Sequence, residues 1–213
     1  SVPPLRDVAR QCFSNPTYRH VMFGGMLGGF GLHGLGQFLG VYFVRVHELP
    51  YSTAGMLYGL QTFASVGGGL LVAGFLANRL GKRDLRWYSL IPAIGMFVCV
   101  PLYIAAFNAS TLPVAVTLIV LAGISLVLHF SPGLAIVQNL ATPRTRASSV
   151  AIYQLFVNIV SMGLGAPLIG LLSDFFAGQV AQDLGAAVCA PGVPCTQAQA
   201  VGLRYALMAS TVF

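Results

Sequence analysis

Apolar residues run along this chain in long unbroken blocks. They show neither the alternation of a half-exposed strand nor the narrow stripe of a surface helix. No charged residue lies between Arg19 and Arg45, between Glu48 and Arg79, between Arg86 and Arg144, or between Arg146 and Asp174. A helix of about 20 apolar residues crosses the hydrocarbon core of a bilayer. The first, second and fourth stretches therefore each predict one span. The third is long enough for two, divided at the polar, proline-ending segment Asn108-Ala109-Ser110-Thr111-Leu112-Pro113. Predicted spans cover about 20–45, 51–79, 87–107, 112–140 and 147–174, and a sixth begins near 201 and is cut off at Phe213. Closed barrels are excluded because the alternating pattern of lipid-facing strands is missing. The expected fold is an all-α membrane protein, one six-helix transmembrane bundle over 20–213 with its last helix truncated. The chain lacks an initiator Met, opens in a polar segment and stops inside an apolar run, so it reads as a fragment, and no signal peptide is visible.

Composition agrees with that class. Of 213 residues, 56% are hydrophobic and 8% charged, with mean hydropathy +0.80. Soluble domains carry about 25% charged residues, and 8% could not cover a water-facing surface of this size. The charge distribution sets an orientation. One side receives Arg6, Arg10, Arg19, Arg79, Lys82, Arg83, Arg86, Arg144 and Arg146, and the other only Arg45 and Arg204. Basic loops stay cytoplasmic, so the amino-terminal end is expected on the cytoplasmic face of an inner or plasma membrane. The net charge of +6 is then topological, and no nucleic-acid partner is expected.

Polar residues at mid-depth in a span tend to be functional. Span one carries His33 and Gln37, one turn apart on one face. Span two carries Gln61 and Thr62, span four His129, and span five Gln154, Asn158 and Ser161. Span three has only Ile94-Gly95-Met96-Phe97-Val98 at its centre. Four helices are therefore expected around a shared polar cavity, with span three facing lipid. The candidates for that cavity are His33, Gln37, Gln61, His129, Gln154 and Asn158. Gln61 and Asn158 could equally be interhelical hydrogen-bond links, and His129 could serve a carbonyl freed by Pro132.

Other features bear less directly on function. Glycines such as Gly24/Gly28, Gly36/Gly40 and Gly55/Gly59 have small-xxx-small spacing, which permits close helix approach. The long loop expected at about 175–200 has no Lys or Arg and holds Cys189 and Cys195 around two prolines and a glycine. Either a disulfide or two free thiols fits there. Cys12 and Cys99 stand apart, and no metal-ligand spacing, cofactor motif, HExxH, GxSxG or nucleotide loop occurs. No cofactor, metal or enzymatic activity is expected.

The loop motifs are more specific. After span two the chain reads Gly74-Phe75-Leu76-Ala77-Asn78-Arg79-Leu80-Gly81-Lys82-Arg83-Asp84. This resembles the GxxxDRxGRR signature of the major facilitator superfamily, in the place it takes between the second and third helices of each six-helix half. Gly81 suits a tight turn, and the basic residues hold it at the cytoplasmic face. Asn78 stands where the family usually has Asp, so a charged latch on a helix end is weakened. Thr142-Pro143 opens span five with a capping Thr and a first-turn Pro. The stretch from Arg146 through Ser173-Asp174, the opening Asn15-Pro16-Thr17-Tyr18-Arg19 with Gly36-Gln37-Phe38, and the run Arg83-Asp84-Leu85-Arg86-Trp87-Tyr88 resemble Spinster-like transporters of that superfamily.

The resemblance implies a secondary transporter whose two six-helix bundles rock about a central site. This chain would be the carboxy-terminal half, and residues 1–19 the cytoplasmic segment joining the halves. Spans one, two, four and five would line or gate the cavity. Gly163, Gly165, Pro167 and Gly170 would form a bend near the extracytoplasmic gate. The implied partners are the amino-terminal half, membrane lipid and a small organic solute, amphipathic or lipid-like. The alternative is a half-size membrane protein or channel working as a homodimer.

Overall fold

The computed structural model describes residues 4–184 and 196–210, and all of their regular structure is helical. Helix α1 (Leu5–Ser14) buries Val8 and Cys12, four residues apart, and precedes the first span. Asn15 then caps α2 (Pro16–Phe30), its Oδ1 accepting from the Thr17 and Tyr18 amides at 2.9 and 3.4 Å, with Pro16 in the first turn. Span one begins at this cap rather than at residue 20. It continues through a π-helical turn (Gly31–Leu35) into α3 (Gly36–Val46).

Span two is α4 (Tyr51–Gly81) and span three α5 (Trp87–Asn108), which keeps Pro92 and Pro101 inside a continuous helix. Span four is broken. Helix α6 (Leu112–Val127) ends, and α7 (Phe130–Leu140) restarts after Leu128 and His129. The break places Pro132 in the first turn of α7, where a missing amide leaves no helical bond unmade.

Span five is α8 (Arg146–Leu184), 39 residues long and helical through Pro167. It starts later than its Thr142-Pro143 signature suggests. Thr142 and Thr145 form a turn ahead of it, with hydroxyls 2.9 Å apart and the Arg146 amide donating to the Thr142 carbonyl at 2.9 Å. It also ends later. The expected loop from residue 175 is helical to Leu184, so Asp174 and Asp183 lie on the helix. At 1.5 Å per residue α8 is about 58 Å long against a core of about 30 Å, so it extends well past the bilayer. Helix α9 (Thr196–Ser210) starts before the expected residue 201. Five helical segments are long and apolar enough to cross a membrane: Pro16–Val46, Tyr51–Gly81, Trp87–Asn108, Leu112–Leu140 and Arg146–Ala181.

Helix α6 lies between α4 and α5, while span one lies along α8, which in turn carries α9. The buried apolar side chains fall into two clusters. One gathers Tyr18, Met22, Val137 and Tyr153 toward the end that bears the basic loops. The other gathers Tyr42, Phe43, Phe107, Ile119 and Leu203 toward the opposite end. Between them, at mid-depth, the buried groups turn polar: Gln61, Ser65, His129 and Ser161.

Candidate functional site

A cleft of about 510 Å³ opens between spans one, two, four and five. Five of the six predicted cavity residues line it: His33, Gln37, Gln61, Gln154 and Asn158. His33 sits in the π-helical turn, a distortion that recurs at functional sites because it re-aims side chains. Its Nδ1 lies 3.1 Å from the Gly29 carbonyl. That carbonyl can only accept, so Nδ1 holds the proton and Nε2 faces the cleft side of the ring. Gln61 is buried, and its Nε2 donates to Ser65 Oγ at 3.0 Å. The Ser65 hydroxyl in turn reaches the Val120 carbonyl of α6 at 3.4 Å. The interhelical link of span two is thus Ser65, and Gln61 rests on it. On α8, Asn158 donates to the Gln154 carbonyl at 2.8 Å, which orients its amide along the cleft wall. Leu32, Val66, Leu70, Val127, Phe130 and Met162 supply apolar wall, and no carboxylate, Lys or Arg is among the lining residues.

Three predicted placements change. His129 is outside the cleft. It is buried in the break of span four with Nδ1 on the Leu126 carbonyl, one of those left open at the end of α6, and it borders a separate crevice behind the cleft. Its depth suggested the cleft, but a helix running on from Gly123 and Val127 carries residue 129 about 120° away from the cleft face, and Phe130 takes the lining position beyond the break. Ser161 does not continue the Gln154–Asn158 row. It is fully buried against span one, where a Cβ on Gly29 would lie 3.0 Å from its Cβ, and its hydroxyl returns to the Val157 carbonyl. Span three does not simply face lipid, because Tyr103 reaches the cleft. Tyr103, stacked on Phe107 at 5.7 Å, was missed together with Tyr58 of span two. The signal available was an aromatic hydroxyl inside an apolar span, since a buried Tyr seeks a polar neighbour.

The loop after span two turns through Leu80, whose carbonyl accepts from the Arg83 and Asp84 amides at 3.0 and 3.1 Å. A Cβ on Gly81 would lie 2.5 Å from the Tyr88 ring, so any larger residue there has to push that ring aside. Arg79 stacks over Phe75 at 5.9 Å, and Gly74, Asn78, Lys82 and Arg83 are exposed. In the segment expected to bend, α8 stays helical. Gly165 meets the backbone of Gly34, Gly170 lies near Phe38, and Gly163 and Pro167 face outward. Cys189 and Cys195 lie outside the described residues. Cys12 and Cys99 are buried free thiols, and no group of three or more His, Cys, Asp or Glu side chains able to hold a metal occurs among the described residues.

Membrane-length helices around a polar cleft free of charged side chains define an integral membrane protein. The Major Facilitator Superfamily family model matches residues 2–166, and the chain belongs to that superfamily. Over 154 residues it is 32% identical to an MFS-type efflux pump of Mycolicibacterium smegmatis, a match covering 72% of this chain and 35% of that protein. Among solved structures it is similar to a bacterial homologue of the human lysosomal transporter Spinster in an inward-facing, unoccupied conformation. That TM-score is 0.85 at 26% identity, covering 97% of this chain and 47% of that one. A bacterial Spinster homologue in an inward-facing, occupied conformation gives a TM-score of 0.78 at 26% identity, covering 93% and 46%. The chain thus spans less than half the length of each of these relatives.

Proposed function

We propose that this chain is the carboxy-terminal half of a secondary transporter that moves a small organic, amphipathic or lipid-like solute by alternating access. The observation that carries the reading is the lining of the cleft. An imidazole, three Gln and one Asn converge on one space whose remaining wall is apolar or hydroxyl-bearing. Such a wall offers hydrogen bonds to a polar head and desolvated surface to an apolar body. It offers no fixed charge to match an ion. In this reading the amino-terminal half supplies the opposite wall, and the two bundles rock about the site. The nine-to-two distribution of Lys and Arg supports a cytoplasmic amino-terminal end, in an inner or plasma membrane. The efflux named for the mycobacterial relative makes outward movement the direction to test first.

The test is counterflow by the full-length protein in liposomes, with a panel of labelled neutral amphiphiles. Counterflow requires a carrier and is not shown by a channel. His33→Leu combined with Gln37→Leu removes two hydrogen-bonding groups. Each is worth about 1 kcal/mol, so counterflow should fall about tenfold or more at unchanged expression. Unchanged counterflow in the double variant sinks the assignment of these residues, and absence of counterflow with every probe sinks the carrier reading.

A further inference from the structure

Span one breaks the ordinary helical step where it crosses α8. Its seam residues Gly25, Gly29, Gly34 and Phe38 meet Val157, Ser161, Gly165 and Gly170 in turn. The steps along span one are four, five and four residues, and the long step is the π-helical turn. Helix α8 advances by four over the same turn, from Ser161 to Gly165. Residues four apart share a helix face, so an unbroken span one would bring His33 into the seam after Gly29. A Cβ at Gly34 already lies 2.9 Å from Ile169, which leaves no room there for an imidazole. The extra residue keeps glycine in the seam and His33 on the cleft side.

His33 is also the only lining side chain of a type that changes charge between pH 5 and 8. Its Nδ1 is held on the Gly29 carbonyl, and Nε2 has no partner among the described residues. A proton on Nε2 turns that atom from an acceptor into a charged donor. Little around it can pair with the charge. Helix α6 has no titratable group, and α8 has only Tyr153, on Gly25, between Arg146 and Asp174. Spans two and three bring the hydroxyls of Tyr58 and Tyr103. His129 lies against Gly28 with its Nδ1 on Leu126, and Arg204 of α9 donates to Asn108 at the far end of span three. On span one itself, His20, Tyr42 and Arg45 stand more than about 13 Å away along the helix. No carboxylate lines the cleft. A lone imidazolium in such a place is costly unless an anion joins it.

On the reading of the cleft as the solute site, we propose that His33 selects organic acids. The solute binds as an anion with an apolar body, and one proton is taken up on Nε2 as it binds. The proton comes from the aqueous phase, and no covalent bond of the solute changes. Anion and proton each lower the cost of the other, so they bind together or not at all.

The test is binding of octanesulfonate, whose head stays ionised, to full-length protein in phosphatidylcholine nanodiscs. Calorimetry at pH 5.5 and 7.5, in two buffers of different ionisation heat, reads both affinity and protons bound. Affinity should fall about tenfold from pH 5.5 to 7.5, with about one proton taken up per anion at pH 7.5. Uncharged octanamide should show neither effect. His33→Gln cannot be charged, so its octanesulfonate binding should be weak, equal at both pH values and without proton uptake. His20→Gln, at the exposed start of span one, should behave as the wild type. Wild-type binding that is absent at pH 5.5 overturns the proposal. So does binding equal at both pH values, as a carboxylate of the opposite wall already paired with His33 would make it. A pH dependence that survives His33→Gln, or is lost in His129→Gln alone, overturns it as well. The wild-type proton count decides even where a variant fails to fold. These failures leave the carrier reading standing while any solute shows counterflow, and absence of counterflow with every probe sinks both.

Discussion

Spans one and two carry glycines at the same four-residue spacing, and the structure packs Gly25, Gly29 and Gly34 of the one while leaving Gly55 and Gly59 of the other open. On span one the row is a crossing. A Cβ on Gly25 would lie 2.3 Å from the Tyr153 hydroxyl, and one on Gly34 would lie 2.9 Å from Ile169 and 3.4 Å from the Gly165 backbone. On span two Gly69 packs on Val127 and the Ile124 backbone of span four, but Gly55, Gly59, Gly67 and Gly74 meet nothing within 4 Å. Small residues permit close backbone approach and do not cause it. What separates the rows is the partner. Span one meets a second small-residue stretch, Ser161 to Gly165 on α8, whereas the open glycines of span two have no helix of the described residues against them.

The largest effect should come from forcing bulk into the crossing. At Gly165 a Cβ would lie 3.2 Å from Gly34 Cα and 3.3 Å from its amide nitrogen, and backbone cannot swing aside as a side chain can. Gly165→Leu should destabilise by about 1–3 kcal/mol or prevent folding. Gly59→Leu should stay within about 0.5 kcal/mol of the wild type. Thermal unfolding of the full-length protein in detergent, followed by size-exclusion fluorescence, reads both. Equal losses from the two variants would break the distinction between the rows.

The same contrast explains how much the sequence disclosed. Span number and position were legible because the hydrocarbon core demands a run of apolar residues whatever the fold around it. Five cleft residues were legible because a polar group at mid-depth is costly unless something meets it. The direction of a side chain around its helix was less legible. His129 looked like a cleft residue by its depth, but two residues past Val127 the helix has carried it round to the rear. Ser161 looked like the third member of the Gln154–Asn158 row, but the Gly29 contact claims it. Length was misjudged on α8 because Asp174 reads as a boundary, and the helix simply continues beyond the depth where charge is excluded. Glycine rows failed for the reason given above: spacing shows what could pack, and only the partner shows what does.

A second, smaller effect separates the two ends of span one. The glycine crossing meets the Tyr153 hydroxyl at Gly25, whereas the far end is closed by ring contacts. His47 Nε2 lies 3.3 Å from the Tyr42 hydroxyl, which reaches the Ala106 carbonyl of α5 at 3.4 Å, and the two rings meet edge to face at 5.3 Å. Burial lowers the pKa of His47 below its ordinary value of 6.5. The unfolded chain therefore takes up a proton near pH 6.5 while the folded chain resists it. Stability from this group is full above pH 6.5 and declines as pH falls through and below it. The melting temperature should drop between pH 7.5 and 5.5, and His47→Gln should flatten part of that slope. An unchanged slope in His47→Gln would mean that the ring contacts tolerate the charged imidazole.

The smallest effect concerns a place where glycine is absent and the backbone favours it. Span one ends at His47, and the chain reverses through Glu48, whose φ of 53° is the only positive value at a non-glycine residue among those described. The Leu49 amide closes the turn on the Phe43 carbonyl at 3.3 Å, and Glu48 takes the left-handed position after the helix end where glycine is usual. Holding an L residue there costs about 1 kcal/mol. Glycine would relieve it, but also gives the unfolded chain more freedom, worth roughly 0.5–1 kcal/mol in the other direction. Glu48→Gly should therefore raise stability by a few tenths of a kcal/mol at most. Glu48→Ala removes the same charge and keeps the strain, so it should melt below Glu48→Gly. If the two melt together, the left-handed turn stores no strain, and the energetic role of glycine in span one is confined to making room.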